Sequence, residues 1–371
     1  MTSMHYVGLD VHKKTISYCV KTKGGAVLCE GAIAATRQGL SDWMDTLRTP
    51  WSCAMEATLF TGWIYDRLKP RAREVKVAHP LMLRAIAASK KKNDRVDAYK
   101  IADLLRADLL PECYMASERT RQLRRVLRYR TMIVRQATRM KNKVSGLLME
   151  VGEPYEERRL HGKRYFRELL GSLQETPESV KYLMRLSRGA LEMFEDIQRQ
   201  LIRALRQDRR LAERVERLRT IRGVGEIVAL TWALEIDDVG RFGSIREAVS
   251  YCGLCSAQNS SAGMDYRGPL SKQRNKHLQT ILIEAAKLAP RWNPQLALVY
   301  ERESARGNDN RATLAVARKL TAYLMAVDKS GKPFEAREEQ TAIPEKNALK
   351  GGARILKKGA RALKGKAGKK R

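Results

Sequence analysis

The sequence predicts an α/β N-terminal domain built on a mixed sheet, a helical, coiled-coil middle, and a mostly α C-terminal domain followed by a basic tail. Three observations carry that prediction. Residues 5–80 alternate short apolar runs with stretches of helical spacing. Residues 117–221 are Arg-rich and helical in pattern, punctuated only by Pro154 and Pro177. Beyond about Pro344 the chain holds few large apolar residues and many cations, with Glu345 the sole acid.

The elements follow in order. HYVGLDV (5–11) is a short strand carrying Asp10 at its end. TISYCVKTKGGAVLCEGAIA (15–34) reads as two strands around a Gly24–Gly25 turn. GLSDWMDTLR (39–48) has helical spacing, with Leu40, Trp43, Met44 and Leu47 on one face. WSCAMEA (51–57) is a strand running into Glu56, FTGWIYDRLK (60–69) a helix, and REVKVAHP (73–80) a strand stopped by Pro80. A hairpin followed by strands separated by helices makes a mixed sheet. DRVDAYKIADLLRADLL (94–110) is a helix with Val96, Ile101, Leu104 and Leu105 as its apolar stripe.

Two long helical stretches come next, 117–152 and 178–221, read as an antiparallel pair or coiled coil. Their arginines make either a solvated face or a groove for a phosphate backbone. Ile221–Arg222–Gly223–Val224–Gly225 precedes an apolar helix and has the form of a helix-hairpin-helix turn. There, glycines let backbone N–H groups approach a phosphate; a tight turn between packed helices is the alternative. No GxGxxG follows a strand here, so a nucleotide cofactor is disfavoured. Residues 275–303 give a core helix with a proline stop and a further segment, and 311–330 a last helix. The resulting domains are 1–116, 117–215, 216–330 and a tail, 331–371, expected to be a flexible arm with sequence-independent affinity for phosphate.

Charge narrows the function. The 371 residues carry 72 Lys+Arg against 41 Asp+Glu, a net charge of +31. Such an excess fits a polyanionic partner, whose condensed counterions are released when cations dock. An anionic membrane surface is the other option. No apolar run approaches about 18 residues and no signal segment leads the chain, so nucleic acid is favoured, with no membrane partner and a cytoplasmic, nucleoid-associated location. The six cysteines are scattered, which argues against a disulfide framework. Cys252 and Cys255 form one CxxC with no second pair to complete a zinc site.

Four acids stand out. Asp10 and Glu56 lie at strand ends, and Asp94 and Asp97 share a helix face at i and i+3. Brought together, they could not all stay ionised without a cation, and hard oxygen ligands suit Mg²⁺ or Mn²⁺. Read singly, each is ordinary: Asp94 as a helix-start residue, Glu56 as a surface charge. The setting of Glu56 in MEAT (55–58), among small apolar residues, favours the joint reading. Lys90, Lys91 and Lys92 just before the helix are candidates to hold a phosphate backbone beside it.

GLDVHKKTI (8–16), AMEAT (54–58) and KNDRVDAYKIADLL (92–105) resemble the N-terminal DEDD domain of the IS110-type transposases, including the IS1111 group. LRTIRGVGEIVALTWALEIDDVGRF (218–242) and YCGLCSAQNSSAGMDYRGPLSKQRNKHLQTILIEAA (251–286) resemble the C-terminal transposase domain of that family. The resemblance implies a RuvC-like N-terminal domain with the RNase H fold, whose acids Asp10, Glu56, Asp94 and Asp97 bind Mg²⁺. It implies a serine nucleophile in the second domain, falling on Ser261 with Ser260 as the fallback. Ala262 stands where the family more often has glycine, and a proline common near Cys255–Ser256 is missing. Arg267 and Lys272 are then either phosphate clamps or solvated surface. The family also implies a homo-oligomer, dimer or tetramer, and guidance by a structured noncoding bridge RNA. The expected activity is DNA transposition. A site-specific DNA invertase of the same family, a metal-dependent structure-selective nuclease and a non-enzymatic binder are the alternatives.

Overall fold

Strand β1 (His5–Val11) is the centre of a five-stranded sheet in a computed structural model that describes residues 4–86, 93–261 and 264–335. Lys90, Lys91, Lys92 and the chain from 336 onward lie outside the described residues. The chain divides into two units, Met1–Arg121 and Gln122–Arg371.

In the first unit β2 (Thr15–Thr22) and β3 (Val27–Ala34) form an antiparallel meander on one side of β1. β4 (Trp51–Glu56) and β5 (Glu74–Ala78) lie parallel on the other, giving the order β3-β2-β1-β4-β5. This mixed sheet, with helices on its faces, is RNase H-like. Alternation decides the two faces. Val7, Leu9 and Val11 of β1 pack with Cys53 and Met55 of β4 on one face. Helix α1 (Arg37–Asp45) covers it through Leu40, Trp43 and Met44, and α2 (Thr61–Leu68) through Ile64 and Leu68. Helix α3 (Pro80–Ile86) was not expected from sequence; Pro80 opens it where the sequence reading had only ended a strand.

The opposite face is built around a missing side chain. A Cβ on Gly8 would stand 2.0 Å from the backbone oxygen of Ala98 and 2.4 Å from the nitrogen of Ala102. Helix α4 (Asp94–Arg106) therefore lies directly against β1. Its contact stripe is Ala98, Ile101, Ala102 and Leu105. That corrects the expected Val96–Ile101–Leu104–Leu105 stripe: Val96 and Leu104 are only half-buried, because close approach to β1 favours alanine. The helix ends at Arg106 rather than near 110, where Asp108 takes a positive φ of 54°. A fully buried Lys21 on β2 ties it down, with Nζ donating to Asp103 Oδ2 at 2.6 Å.

Among the described residues the second unit is helical apart from one hairpin. α5 (Glu118–Glu150) starts at the end of the first unit and continues into the second. After α6 (Lys163–Ser172), α7 (Glu178–Arg206) runs back antiparallel to α5: Val144 and Leu148 share a core with Val180 and Met184, and Leu127 shares one with Leu205. The expected 178–221 helix is broken at Gln207–Asp208, where Asp208 accepts from Leu211 N and caps α8 (Arg209–Arg219). The Gly223 turn, with φ of 95°, then leads into α9 (Glu226–Ile236). A Cβ on Gly223 would lie 2.8 Å from that of Ala289, so close packing accounts for this glycine.

Residues Val228–Ile236 of α9 are buried on all sides, making it the central post of the larger core. Around it stand α8, α10 (Ile245–Tyr251), α11 (Lys276–Leu288), α12 (Pro294–Arg306) and α13 (Asp309–Ser330). Strands β6 (Ser256–Ser261) and β7 (Met264–Leu270) form an antiparallel hairpin between α10 and α11. The sequence reading assigned no strand there.

Candidate active site

Asp10 follows Leu9, whose Cα partner on β4 is Met55, the residue before Glu56. The two carboxylates thus occupy neighbouring positions on parallel strands. Alternation puts both on the α4 side: Asp10 continues from Gly8, and Glu56 continues from Ala54, which packs with Ile101 and Leu105. Asp94 and Asp97 fill the first turn of α4, started by Asn93, whose side chain accepts from Val96 N at 2.8 Å. Because Gly8 draws α4 onto β1, the N-terminus of the helix arrives over the end of that strand. Topology thus gathers the four acids on one side of the sheet.

The side chains bear this out most directly for Asp10 and Asp94. A ligand oxygen from each, and Nε2 of His12, all lie within 4.8 Å of one another. His12 Nε2 is 3.0 Å from Asp10 Oδ2 and 3.3 Å from Asp94 Oδ1. Burial raises the Asp10 carboxyl above its ordinary value; His12 pulls it down, but the charges of Asp94 and Asp97 add to the rise. For His12, burial works against the charged form, yet the charges and hydrogen bonds of Asp10 and Asp94 prevail and raise its pKa. His12 thus stands between the two carboxylates, whose charges favour its protonated form. His12 was absent from the sequence-predicted site. The signal for it was the short D-x-H spacing, which places the ring back over Asp10 once β1 ends at Val11.

The second group lies in the other unit. Ser261 is exposed at the last position of β6, opposite Met264 across the hairpin tip. Ser260 is exposed too, and its Oγ accepts from Gln258 Nε2 at 3.0 Å. Adjacent strand residues face opposite ways, so the two serines present their hydroxyls to different sides. Arg267 pairs with Gln258, three positions back from Ser261, or about 10 Å along the strand at about 3.3 Å per residue. Lys272 is exposed beyond the far end of β7 and is not beside Ser261 within this hairpin. The base of the hairpin is anchored. Gly253, at φ 69°, has no room for a Cβ beside Arg274, and its carbonyl accepts from Gln279 Nε2 at 2.5 Å. Cys252 is a free thiol deep in the core, pushed by burial up to about 12, and Cys255 is also free.

Comparison with known proteins places both groups inside matched regions. Residues 7–152 match a transposase family profile of the DEDD IS110 type, and residues 215–301 match the transposase IS116/IS110/IS902 family. The chain is 27% identical over 357 residues to "Putative transposase y4qE" of Sinorhizobium fredii, covering 87% of this chain and 88% of that protein. It is 26% identical over 348 residues to the transposase for insertion sequence element IS1328 of Yersinia enterocolitica, covering 90% and 99%. The transposase for insertion sequence element IS1111A of Coxiella burnetii is 26% identical over 248 residues, covering 64% and 66%.

Proposed function

The chain belongs to the IS110/IS1111 family of transposases, and on that premise we propose that it cuts and rejoins DNA with a carboxylate group in the first unit and a serine nucleophile in the second. The observation that carries the reading is the convergence of Asp10 and Asp94, with Asp97 and Glu56 on the same side of the sheet. The DEDD domain implies a divalent metal, and the donors present fit one: clustered hard oxygens, one of them on a part-buried, raised carboxyl that gains from a cation. Asp10, Glu56, Asp94 and Asp97 would hold Mg²⁺, or Mn²⁺ in its place. Such an ion supplies activation of an attacking oxygen and charge neutralisation at a leaving one.

Ser261 Oγ is the assigned nucleophile. It forms a P–O bond to the scissile phosphorus while the bond to the 3′ oxygen breaks, and that oxygen leaves with a proton. The phosphoserine ester conserves the bond energy, and attack by a new 3′ hydroxyl reverses the step and rejoins the strand. The exposed position of Ser261 on a hairpin suits attack on a large substrate. The acids and the serine act in a homo-oligomer, dimer or tetramer, with the two groups drawn from different protomers. Lys90, Lys91, Lys92, Arg267 and Lys272 contact the phosphate backbone. Family membership and the net charge of +31 support guidance by a structured noncoding bridge RNA bound together with DNA.

The test is recombination by purified protein loaded with the RNA encoded beside its gene, between two plasmids carrying the element's junction and a target. Ser261→Ala is expected to bind DNA and leave no covalent protein–DNA adduct. Undiminished recombination by that variant would remove the serine from the mechanism. Continued cutting without rejoining would instead mark a nuclease.

A further inference from the structure

A cavity of about 230 Å³ opens in the second unit between α5, α9 and α11. Its ionisable lining is Arg128, Arg130 and Arg135 from α5, Lys276 and His277 from the start of α11, and Glu235 from α9; burial lowers the His277 pKa and favours its neutral ring. Glu235 is already committed. Its two oxygens accept from Arg128 Nε and Nη2, each at 2.8 Å, and Asn275 Nδ2 donates to it at 2.9 Å. No acid among the described residues lies within 4.0 Å of Arg130, Arg135 or Lys276; Glu226 reaches Arg130 only through its charge, without an ion-pair contact. Arg130 is the telling member. Its Nε is buried without a hydrogen-bond partner in the protein, and burial lowers its pKa. An orphaned buried guanidinium N–H carries a cost that an acceptor from outside would remove.

The rest of the lining says what kind of acceptor. Thr131, Thr231 and Thr280 each donate their hydroxyl proton to the carbonyl four residues back, leaving the cations and the His277 ring as donors. No Phe, Tyr or Trp lines the cavity. Its volume falls below the roughly 300 Å³ at which small-molecule pockets begin. The site suits a single tetrahedral anion, with the remainder of the ligand outside.

We infer that this cavity seats one backbone phosphate of duplex DNA, held by Arg130, Arg135 and Lys276. The inference rests on the DNA-processing reading above and gives that DNA a sequence-independent anchor away from both reactive groups. Phosphate contacts of this sort fix register and orientation while the reacting strand is handled elsewhere.

Fluorescence anisotropy of the full chain on a duplex of arbitrary sequence, from about 50 to 200 mM salt, tests it. The triple variant Arg130→Gln, Arg135→Gln, Lys276→Gln is expected to bind about tenfold more weakly, with a salt slope smaller by about 1. A control that removes three exposed cations around α6, Arg158→Gln, Lys163→Gln and Arg167→Gln, should match the parent. If the triple variant unfolds, Arg135→Gln with Lys276→Gln, both at exposed positions, carries the same comparison. An unchanged slope in a folded variant overturns the site. A loss confined to single-stranded RNA also overturns it, as does thermal stabilisation of the parent alone by inorganic phosphate with DNA binding intact. Failure of the parent itself to bind duplex DNA would remove the reading beneath the inference as well, and so is told apart from failure of the cavity.

Discussion

Asp10 and Ser261 both sit at strand ends, yet the two strands could hardly be more different. β1 is the middle of a five-stranded sheet with a core on one face and α4 pressed onto the other. β6 is half of a two-stranded hairpin whose residues are mostly exposed, including Tyr266 at 65%. A two-stranded ribbon is marginal by itself, and this one is anchored at its base, around Gly253. The difference teaches how the work is divided. Clustered like charges must be held in place against their own repulsion, so they need a rigid platform. On the proposed function, a nucleophile that attacks a polymer needs reach, and a hairpin would provide it.

The largest expected effects are chemical and should be alike in the two regions. Asp10→Asn and Ser261→Ala should each lower strand transfer by at least about a thousandfold while DNA binding survives. Full activity in Asp10→Asn would break the pairing of the two groups. Stability should then separate what activity does not. Glu235 holds the core of the second unit from a fully buried position, so Glu235→Gln is expected to cost up to about 3 kcal/mol in denaturant unfolding. The figure sits at the low end for a buried pair because Arg128 is half exposed. Despite burial, Arg128 and Asn275 keep the Glu235 carboxyl below its ordinary value of 4.5. Its contribution is therefore present above pH 4.5 and lost as pH falls through the lower folded value. An acid unfolding profile identical in the parent and Glu235→Gln would contradict this.

Gly8→Ala comes next. The added Cβ meets backbone on α4, so about 1–3 kcal/mol of destabilisation is expected, together with loss of cutting as Asp94 and Asp97 are displaced. Met264→Ala at the hairpin tip should stay within about 0.5 kcal/mol of the parent. Equal losses for the two would erase the contrast between platform and hairpin. Last, Mg²⁺ at about 100 times its Kd should stabilise the protein by about 2.7 kcal/mol at most, less if the unfolded chain also binds it. A thermal shift that persists in the double variant Asp10→Asn, Asp94→Asn would locate the ion elsewhere.

Much of this was legible along the chain. GLD, AMEAT and DRVD could be found because strand alternation and helix capping are local, and each acid sits at a boundary those patterns mark. The helix around Arg209 was legible only in part, since the break at Asp208 is a cap inside an unbroken charge pattern. The β6–β7 hairpin was missed because β6 (SAQNSS) is polar on both faces and the alternation of Met264 to Arg267 in β7 stops at Gly268–Pro269.

What the sequence by itself determined is the order of most elements and the cationic balance, which follow from residue type and short-range spacing; the candidate acids also stood out by spacing, whereas the serines were reached only through the family resemblance. Only the tertiary structure decided that Gly8 is a contact surface for Ala98 and Ala102, that His12 lies between Asp10 and Asp94, and that the buried Nε of Arg130 lacks a hydrogen-bond partner near a committed Glu235. The physical reason is the same in each case. Steric fit and charge compensation depend on groups brought close by packing, and nothing in the spacing along the chain records that distance.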